Sequence, residues 1–375
     1  MSNNSWIAIR ADASMEIGSG HMMRTITLAQ AARKRGVAVV FICRHTLDSM
    51  TKRLADLEIG LIRLPEHIQT EALGPYFHSP WLGVTEQIDA QDTLAALEHE
   101  TVKRGVPPLR MIVDHYALAA PWEQRIAEIC PILAIDDLND RPHHVSWLLD
   151  VTLGKSPSHY APLVLDSTKL LLGSRYALLR DEFTALLPLA RAKSAKTQGP
   201  WRILVTLGGI DRDNKTMLIL EALEKVEVNS ALSICIVAGA ANPHFDELEK
   251  RVQESQLEIE LLRFTDQIGK LMLEADLCIG AAGSTSWERC ALGLPTINIV
   301  LAANQEVVAN NLKKAGVAIN FGYLEASEVD RLAEMVSNLL NSKDKLESMS
   351  RIGQSQCDGH GVNRVLEAIG CMMQK

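Results

Sequence analysis

Short, continuous apolar runs alternate with amphipathic helical segments along the chain, and the alternation starts afresh once, near residue 200. The runs Trp6–Arg10, Val37–Cys43, Met111–Val113 and Ile132–Ile135 come first; Ile203–Leu207, Ser233–Val237, Ile259–Leu262, Leu277–Ile279 and Thr296–Val300 follow. Runs without polar alternation suit strands covered on both faces, and strands separated by helices build parallel sheets. Helices are expected over 21–35, 46–57 and 86–104, the first stopping at Gly36. The stretch RAKSAKTQGP, basic, polar and closed by Gly-Pro, reads as a linker. The chain is therefore expected to be α/β, with two Rossmann-like domains at 1–190 and 201–357 and a linker at 191–200. A closing helix at 358–375 is placed as one that returns to the first domain. Open parallel sheets bind ligands beyond the carboxyl ends of their strands, so a cleft between the two domains is the expected ligand site.

Charge narrows the ligand. Lys plus Arg total 38 against 46 Asp plus Glu, a net charge of -8. No whole-protein field draws in nucleic acid or an anionic membrane, so any phosphate is held locally. The longest apolar runs fall well short of the roughly 18 residues of a membrane span, and MSNNSWIAIR lacks a secretory start. A cytoplasmic protein without membrane insertion is expected. Of seven cysteines none forms a CxxC pair, and Cys43, Cys235 and Cys278 read as buried reduced thiols. His143-His144 are adjacent without a partner at helical spacing and read as loop residues, so neither a metal site nor a cofactor is expected.

Two glycine loops carry the chemistry. After the first strand comes Arg10-Ala11-Asp12-Ala13-Ser14-Met15-Glu16-Ile17-Gly18-Ser19-Gly20-His21-Met22-Met23-Arg24. Gly18, Ser19 and Gly20 let backbone approach a ligand, and the helix start offers free N–H groups. A dinucleotide fingerprint wants a third glycine where Met23 stands, which disfavours a nicotinamide cofactor. His21 opens the helix, where the macrodipole disfavours the imidazolium; a neutral imidazole there is suited to taking a proton from water. Asp12 is placed either to orient His21 or to bind a sugar hydroxyl, with loop capping as the plainer alternative. Arg24, on the same helix face as His21, pairs with Asp12, faces the ligand or is simply solvated.

The second loop, GAAGSTSWERCALGLP from Gly280, runs a buried strand into small residues. Ser284 and Thr285 are expected to cap the following helix and, with Gly283, to present donors to a diphosphate. Glu288, one turn on, is positioned to accept both hydroxyls of a ribose. Asn304 and Gln305 open the next helix, where amides suit sugar hydroxyls or phosphate oxygens. Leu207-Gly208-Gly209-Ile210-Asp211 is another glycine-rich strand end, with Gly208, Gly209 and Asp211 as ligand contacts or a plain turn as the alternative.

The segments Phe264-Thr265-Asp266, GAAGSTSWE, LGLPTI, Asn304-Gln305 and Ala315-Gly316-Val317 resemble the UDP-binding domain of GT-B glycosyltransferases of the peptidoglycan N-acetylglucosaminyltransferase type. RADAS through GSGHMMR, Val113-Asp114-His115-Tyr116, Ile135-Asp136-Asp137 and the segment Leu170 to Arg180 resemble a narrower family, the UDP-2,4-diacetamido-2,4,6-trideoxy-β-L-altropyranose hydrolases of pseudaminic acid biosynthesis. The resemblance implies a GT-B fold and a metal-independent nucleotide-sugar hydrolase whose water attacks the anomeric carbon with inversion, releasing UDP. It implies that His21 is the general base and that Tyr116 and Asn304 act on the sugar side with Gln305. Ser284, Thr285 and Glu288 would take phosphates and ribose, and backbone groups near Arg263 to Ile268, Phe264 among them, would read the uracil. A monomer is expected. Leu148-Leu149-Asp150-Val151-Thr152 departs from the amide-rich stretch of that family, and the segment 59–86 has no assigned role. A true glycosyltransferase, a hydrolysing UDP-N-acetylglucosamine 2-epimerase and a non-catalytic nucleotide-sugar binder remain alternatives.

Overall fold

A computed structural model describes residues 5–67, 74–193, 200–239 and 241–371, apart from the side chain of Asn304. The chain forms two compact units: Met1–Leu179 with His360–Lys375, and Arg180–Gly359. Residues 194–199 of the expected linker, and 372–375 of the closing segment, lie outside the described residues.

The first unit holds a seven-stranded, all-parallel sheet. Its strands are β1 (Trp6–Ala11), β2 (Ala38–Cys43), β3 (Gly60–Arg63), β4 (Arg110–Asp114), β5 (Ile132–Ile135), β6 (Trp147–Asp150) and β7 (Lys169–Leu172). They lie in the order β3-β2-β1-β4-β5-β6-β7. Residues of β1 are fully buried on both faces, which is why its sequence shows no polar alternation. Strand order reverses between β1 and β4, and such a switch point opens a crevice at the carboxyl ends of the two strands. Register pairs Ala11 with Asp114, so the loop after β1 and the end of β4 emerge side by side.

Helix Gly361–Ala368 packs on helix Gly20–Lys34 of this unit. Val365, Leu366 and Ile369 are fully buried there, each contributing roughly 1.5–3 kcal/mol. Arg35 donates to the carbonyl of Cys371 at 2.6 Å and to Asn363 Oδ1 at 2.8 Å. A Cβ on Gly361 would meet the Ala177 carbonyl at 2.2 Å, so only glycine lets the helix start that close.

The second unit holds six parallel strands: β8 (Trp201–Thr206), β9 (Leu232–Val237), β10 (Glu258–Leu262), β11 (Leu277–Ala281), β12 (Thr296–Ile299) and β13 (Ala318–Gly322). The order β10-β9-β8-β11-β12-β13 again reverses at one point, between β8 and β11. Helix Asp181–Ala192, which the sequence reading assigned to the first domain, packs on helices Ile268–Glu274 and Thr285–Ala291 of this unit. Its Phe183, Leu187 and Ala190 are buried, and that apolar face ties it to the second sheet's helices.

All seven cysteines are free; six are buried, and Cys235 is partly exposed on β9. Among the described residues no helix is long and apolar enough to cross a membrane.

Candidate active site

In the first unit the loop after β1 closes on itself. Ser14 Oγ accepts from the amides of Glu16 and Ile17, and the Gly18 amide donates to the Ser14 carbonyl at 2.8 Å. Gly18 has φ +76°, a left-handed conformation that a side chain would strain. The chain then enters helix Gly20–Lys34, whose first turn carries His21.

His21 Nδ1 lies 2.6 Å from Asp114 Oδ1, at the end of β4. Arg24, one turn along, donates to the same carboxylate from Nε to Oδ2 at 2.5 Å and from Nη2 to Oδ1 at 2.7 Å. Its Nη1 reaches Asp137 Oδ2 at 2.8 Å, and the Tyr116 hydroxyl donates to Asp137 Oδ1. Burial alone would raise the Asp114 carboxyl, but Arg24 and His21 draw it down to about 2. An ionised Asp114 is an acceptor for an Nδ1–H of His21, the arrangement that in a neutral ring puts the lone pair on Nε2. Burial, with the neighbouring Asp137, pushes the Tyr116 phenol well above its ordinary value, so it stays protonated.

Aromatic rings surround this pair. The His21 and Tyr116 rings meet edge-on with centroids 4.5 Å apart, and Trp81 stacks on Tyr116 at 5.8 Å. His78 lies 4.4 Å from Trp81 and 5.2 Å from Tyr116. The segment 59–86, which had no role in the sequence reading, thus supplies Trp81 beside His21 and His78 beside Trp81 and Tyr116.

Asp12 does not orient His21. It is fully buried, bound by Arg10 Nη1 at 2.5 Å and Nη2 at 3.0 Å, and accepts the Arg44 amide at 2.8 Å. An acid on the buried side of the loop is consumed by the cation one pleat earlier, and Asp114 takes the orienting place. Arg24 likewise pairs with Asp114 and Asp137 rather than with Asp12. Asp136 holds Arg141 at 2.7 Å and the Asn139 amide, which accounts for it structurally. His143 is in a loop but is buried, 2.8 Å from Glu123 Oε1. Burial opposes its charge, yet Glu123 and Asp136 raise it to about 9.

In the second unit the corresponding crevice collects the other glycines. Gly208, at φ +98°, and Gly209 follow β8. A Cβ on Gly239 would meet both their carbonyl oxygens at 2.5 Å, so a third glycine, which the sequence reading passed over, supports the loop from below. Asp211 is 1 % exposed. Its carboxylate accepts the amides of Lys215 and Thr216 and the Thr216 hydroxyl, so it caps helix Lys215–Glu224 instead of meeting a ligand.

Gly283, Ser284 and Thr285 follow β11. Ser284 has helical dihedrals and makes no capping hydrogen bond, contrary to the expected cap, because its backbone already belongs to the first turn. It is exposed, and the site of a Cβ on Gly283 has nothing within 4 Å. Glu288 Oε1 receives Arg180 Nη2 at 3.3 Å, while Oε2 is buried without a hydrogen-bond partner among the described residues. Burial raises the Glu288 carboxyl. Gln305 Oε1 accepts the Leu301 amide at 3.0 Å, so its amide nitrogen is the part left to meet a ligand. Phe264 is 69 % exposed, an unusual cost for a phenylalanine. The side chain of Asn304 lies outside what the structure describes.

Sequence reasoning missed Asp114, His78, Trp81, Arg180 and Gly239 as site residues. An acid ending an apolar run beside the first glycine loop was the available signal for Asp114. His78 and Trp81 carry no period and gave none.

Comparison with known proteins bears on the fold and on what the chain resembles. Residues 203–361 match the model of the glycosyltransferase family 28 C-terminal domain. The UDP-2,4-diacetamido-2,4,6-trideoxy-beta-L-altropyranose hydrolase of Campylobacter jejuni is 25% identical over 84% of this chain and 99% of its own. The spore coat polysaccharide biosynthesis protein SpsG of Bacillus subtilis is 26% identical over 54% of this chain and 58% of its own. The crystal structure of Acinetobacter baumannii MurG superposes with TM-score 0.66 at 16% identity, covering 98% of this chain and 100% of that one. The fold is GT-B, and the resemblance read from the motifs is borne out at the level of the family.

Proposed function

We propose that the protein is a UDP-sugar-processing enzyme, and more narrowly that it hydrolyses a UDP-2,4-diacetamido-2,4,6-trideoxyhexose at the anomeric carbon with inversion. The observation that carries the reading is the His21–Asp114 pair, 2.6 Å apart at the switch point of the first sheet. Nε2 of His21 takes a proton from water as the water oxygen bonds to C1. The C1–O bond to the β-phosphate breaks, its electron pair leaves with UDP, and the proton stays on His21 until solvent removes it. One base and a direct attack from the face opposite UDP give inversion. General-base help of this kind contributes about 10²–10⁴-fold.

The nucleotide has its own set of groups. Oε2 of Glu288, orphaned and buried, lacks the donor that a ribose hydroxyl would bring. Gly283, Ser284 and Thr285 offer amide and hydroxyl donors to the diphosphate, with close backbone approach at Gly208 and Gly209. Phe264 offers an exposed ring to the uracil. In the first unit, Tyr116 takes the sugar side. A cytoplasmic monomer without a metal or cofactor completes the reading. The names of the Campylobacter jejuni and Bacillus subtilis relatives support sugar biosynthesis as its setting.

A glycosyltransferase is the second reading, favoured by the family 28 match over 203–361. Incubation with the UDP-sugar and no acceptor separates the two. Stoichiometric UDP release supports hydrolysis, release that needs an added acceptor supports transfer, and a 2-epimerised sugar would indicate the epimerase chemistry. His21→Phe should abolish release while UDP binding persists.

A further inference from the structure

Residues 74–85, which lead into helix Glu86–Arg104, are built to present rings. Ser79, Leu82 and Val84 are buried at 4 %, 1 % and 4 % exposure and anchor it in the core. Pro80 lies in a short 3-10 turn, Ser79–Leu82, and Gly83 ends that turn at φ +72°. A Cβ on Gly83 would meet His45 Nε2 at 2.9 Å, so the turn is seated tightly as well as bent. With Ser79, Leu82 and Val84 anchored, Phe77 is left 88 % exposed, while His78 and Trp81 are half-buried against Tyr116.

Distance then decides what these rings meet. If His21 activates the attacking water, as the reading above has it, one hydrogen bond and one attack distance separate Nε2 from C1, about 6 Å in all. The rings of Tyr116 and Trp81 have centroids 4.5 and 6.2 Å from that of His21. Both rings therefore lie within the reach of a sugar placed for attack. His78 adds one polar atom to an otherwise apolar wall: its Nδ1 is buried and has no hydrogen-bond partner among the described residues. Burial also lowers the His78 pKa, so the ring is neutral and Nδ1 or Nε2 carries a lone pair. Buried polar atoms without partners are rare in folded proteins and point to a missing one.

We propose that His78 and Trp81 are the specificity-determining residues for the sugar, Trp81 packing on its methyl groups and C–H faces and His78 Nδ1 hydrogen-bonding an acylamino group. The proposal rests on the hydrolase reading for the sugar's position and extends it to the choice of sugar. A deoxy, N-acylated hexose offers methyl groups and an amide N–H, which match the wall. A sugar with a hydroxyl at C6 would press that group on aromatic carbon and lose its water, a penalty an apolar pocket converts into discrimination of about 10–100-fold.

The test uses the full chain in a His21→Gln background, which halts turnover so that affinities are readable by calorimetry. Three ligands are compared: UDP, UDP-N-acetylglucosamine and a UDP-2,4-diacetamido-2,4,6-trideoxyhexose. The parent should favour the diacetamido sugar over UDP-N-acetylglucosamine by at least about 10-fold. Trp81→Ala should erase most of that ratio without changing the Kd for UDP or the Tm, and Trp81→Phe should restore much of it. His78→Phe keeps a ring, removes Nδ1 and should weaken the diacetamido sugar by roughly 5-fold with UDP unaffected. A ratio that survives both Trp81→Ala and His78→Phe overturns the proposal, as does a parent that does not discriminate. If the ratio falls as expected while the wild type releases no UDP without acceptor, the hydrolase reading fails and the sugar wall stands.

Discussion

Asp114 serves His21 and Arg24 with one carboxylate: Oδ1 is 2.6 Å from His21 Nδ1, and Arg24 occupies Oδ2 at 2.5 Å and Oδ1 at 2.7 Å. The arginine keeps the carboxylate ionised, and the carboxylate in turn fixes the imidazole tautomer. Asp114→Asn removes the charge and offers the ring an amide that favours the wrong tautomer. Its kcat should fall by about 10²–10⁴-fold, with UDP affinity and Tm close to wild type. Steady-state kinetics beside calorimetry with UDP checks this, and an unchanged kcat would remove Asp114 from the chemistry.

Stability should depend on pH in two separate windows. The folded Asp114 value of about 2 lies below its ordinary 3.8, so its contribution is complete above 3.8 and is lost as pH falls through 2. The folded His143 value of about 9 lies above its ordinary 6.5, so that contribution is complete below 6.5 and is lost as pH rises through 9. His143→Gln should flatten the alkaline limb of the stability profile, a change of up to about 3 kcal/mol. Denaturant melts between pH 6 and 10 read it directly.

Gly239→Ala should loosen the second glycine loop. The new methyl would meet the carbonyl oxygens of Gly208 and Gly209 at 2.5 Å, at a backbone φ of +98°. A loss of roughly 1–3 kcal/mol is expected, together with weaker UDP binding. Thermal melts with and without UDP separate the two effects, and a variant as stable as wild type would contradict the packing described.

Glu288→Ala should weaken UDP binding by about 10- to 100-fold, the range for a hydrogen bond to a charged group. The loss should vanish when 2′,3′-dideoxy-UDP replaces UDP, since the hydroxyls that meet Oε2 are then gone. An equal loss with both ligands would mean that Glu288 acts only through Arg180, its partner at 3.3 Å.

Much of this was legible in the sequence where local chemistry and topology agree. Trp6–Arg10 and Leu277–Ile279 were recognisable because both faces of β1 and β11 are covered, and the two glycine loops fall at the two switch points of strand order. Gly60–Arg63, Trp147–Asp150, Lys169–Leu172 and Ala318–Gly322 were not read as strands. β3, β7 and β13 are edge strands and only partly buried, so they lack the continuous apolar run that marks β5 or β12, and the short interior β6 ends in Asp150. Asp12 and Asp211 were read as ligand contacts on their position after a strand, but a carboxylate there is equally placed to serve the fold. Arg10 consumes the first and the amides of Lys215 and Thr216 the second. Asp114 reaches His21 from 93 residues away, and His78 and Trp81 arrive on a segment without periodicity. Only tertiary structure brings those three together.

The central claim is that water, activated by His21, attacks C1 of the sugar. Turnover of a UDP-2,4-diacetamido-2,4,6-trideoxyhexose in water enriched in ¹⁸O, without acceptor, reads it most directly by mass spectrometry of the products. One ¹⁸O atom should appear on the freed sugar and none in UDP. Label in the β-phosphate of UDP would place the cleavage at phosphorus and contradict the account.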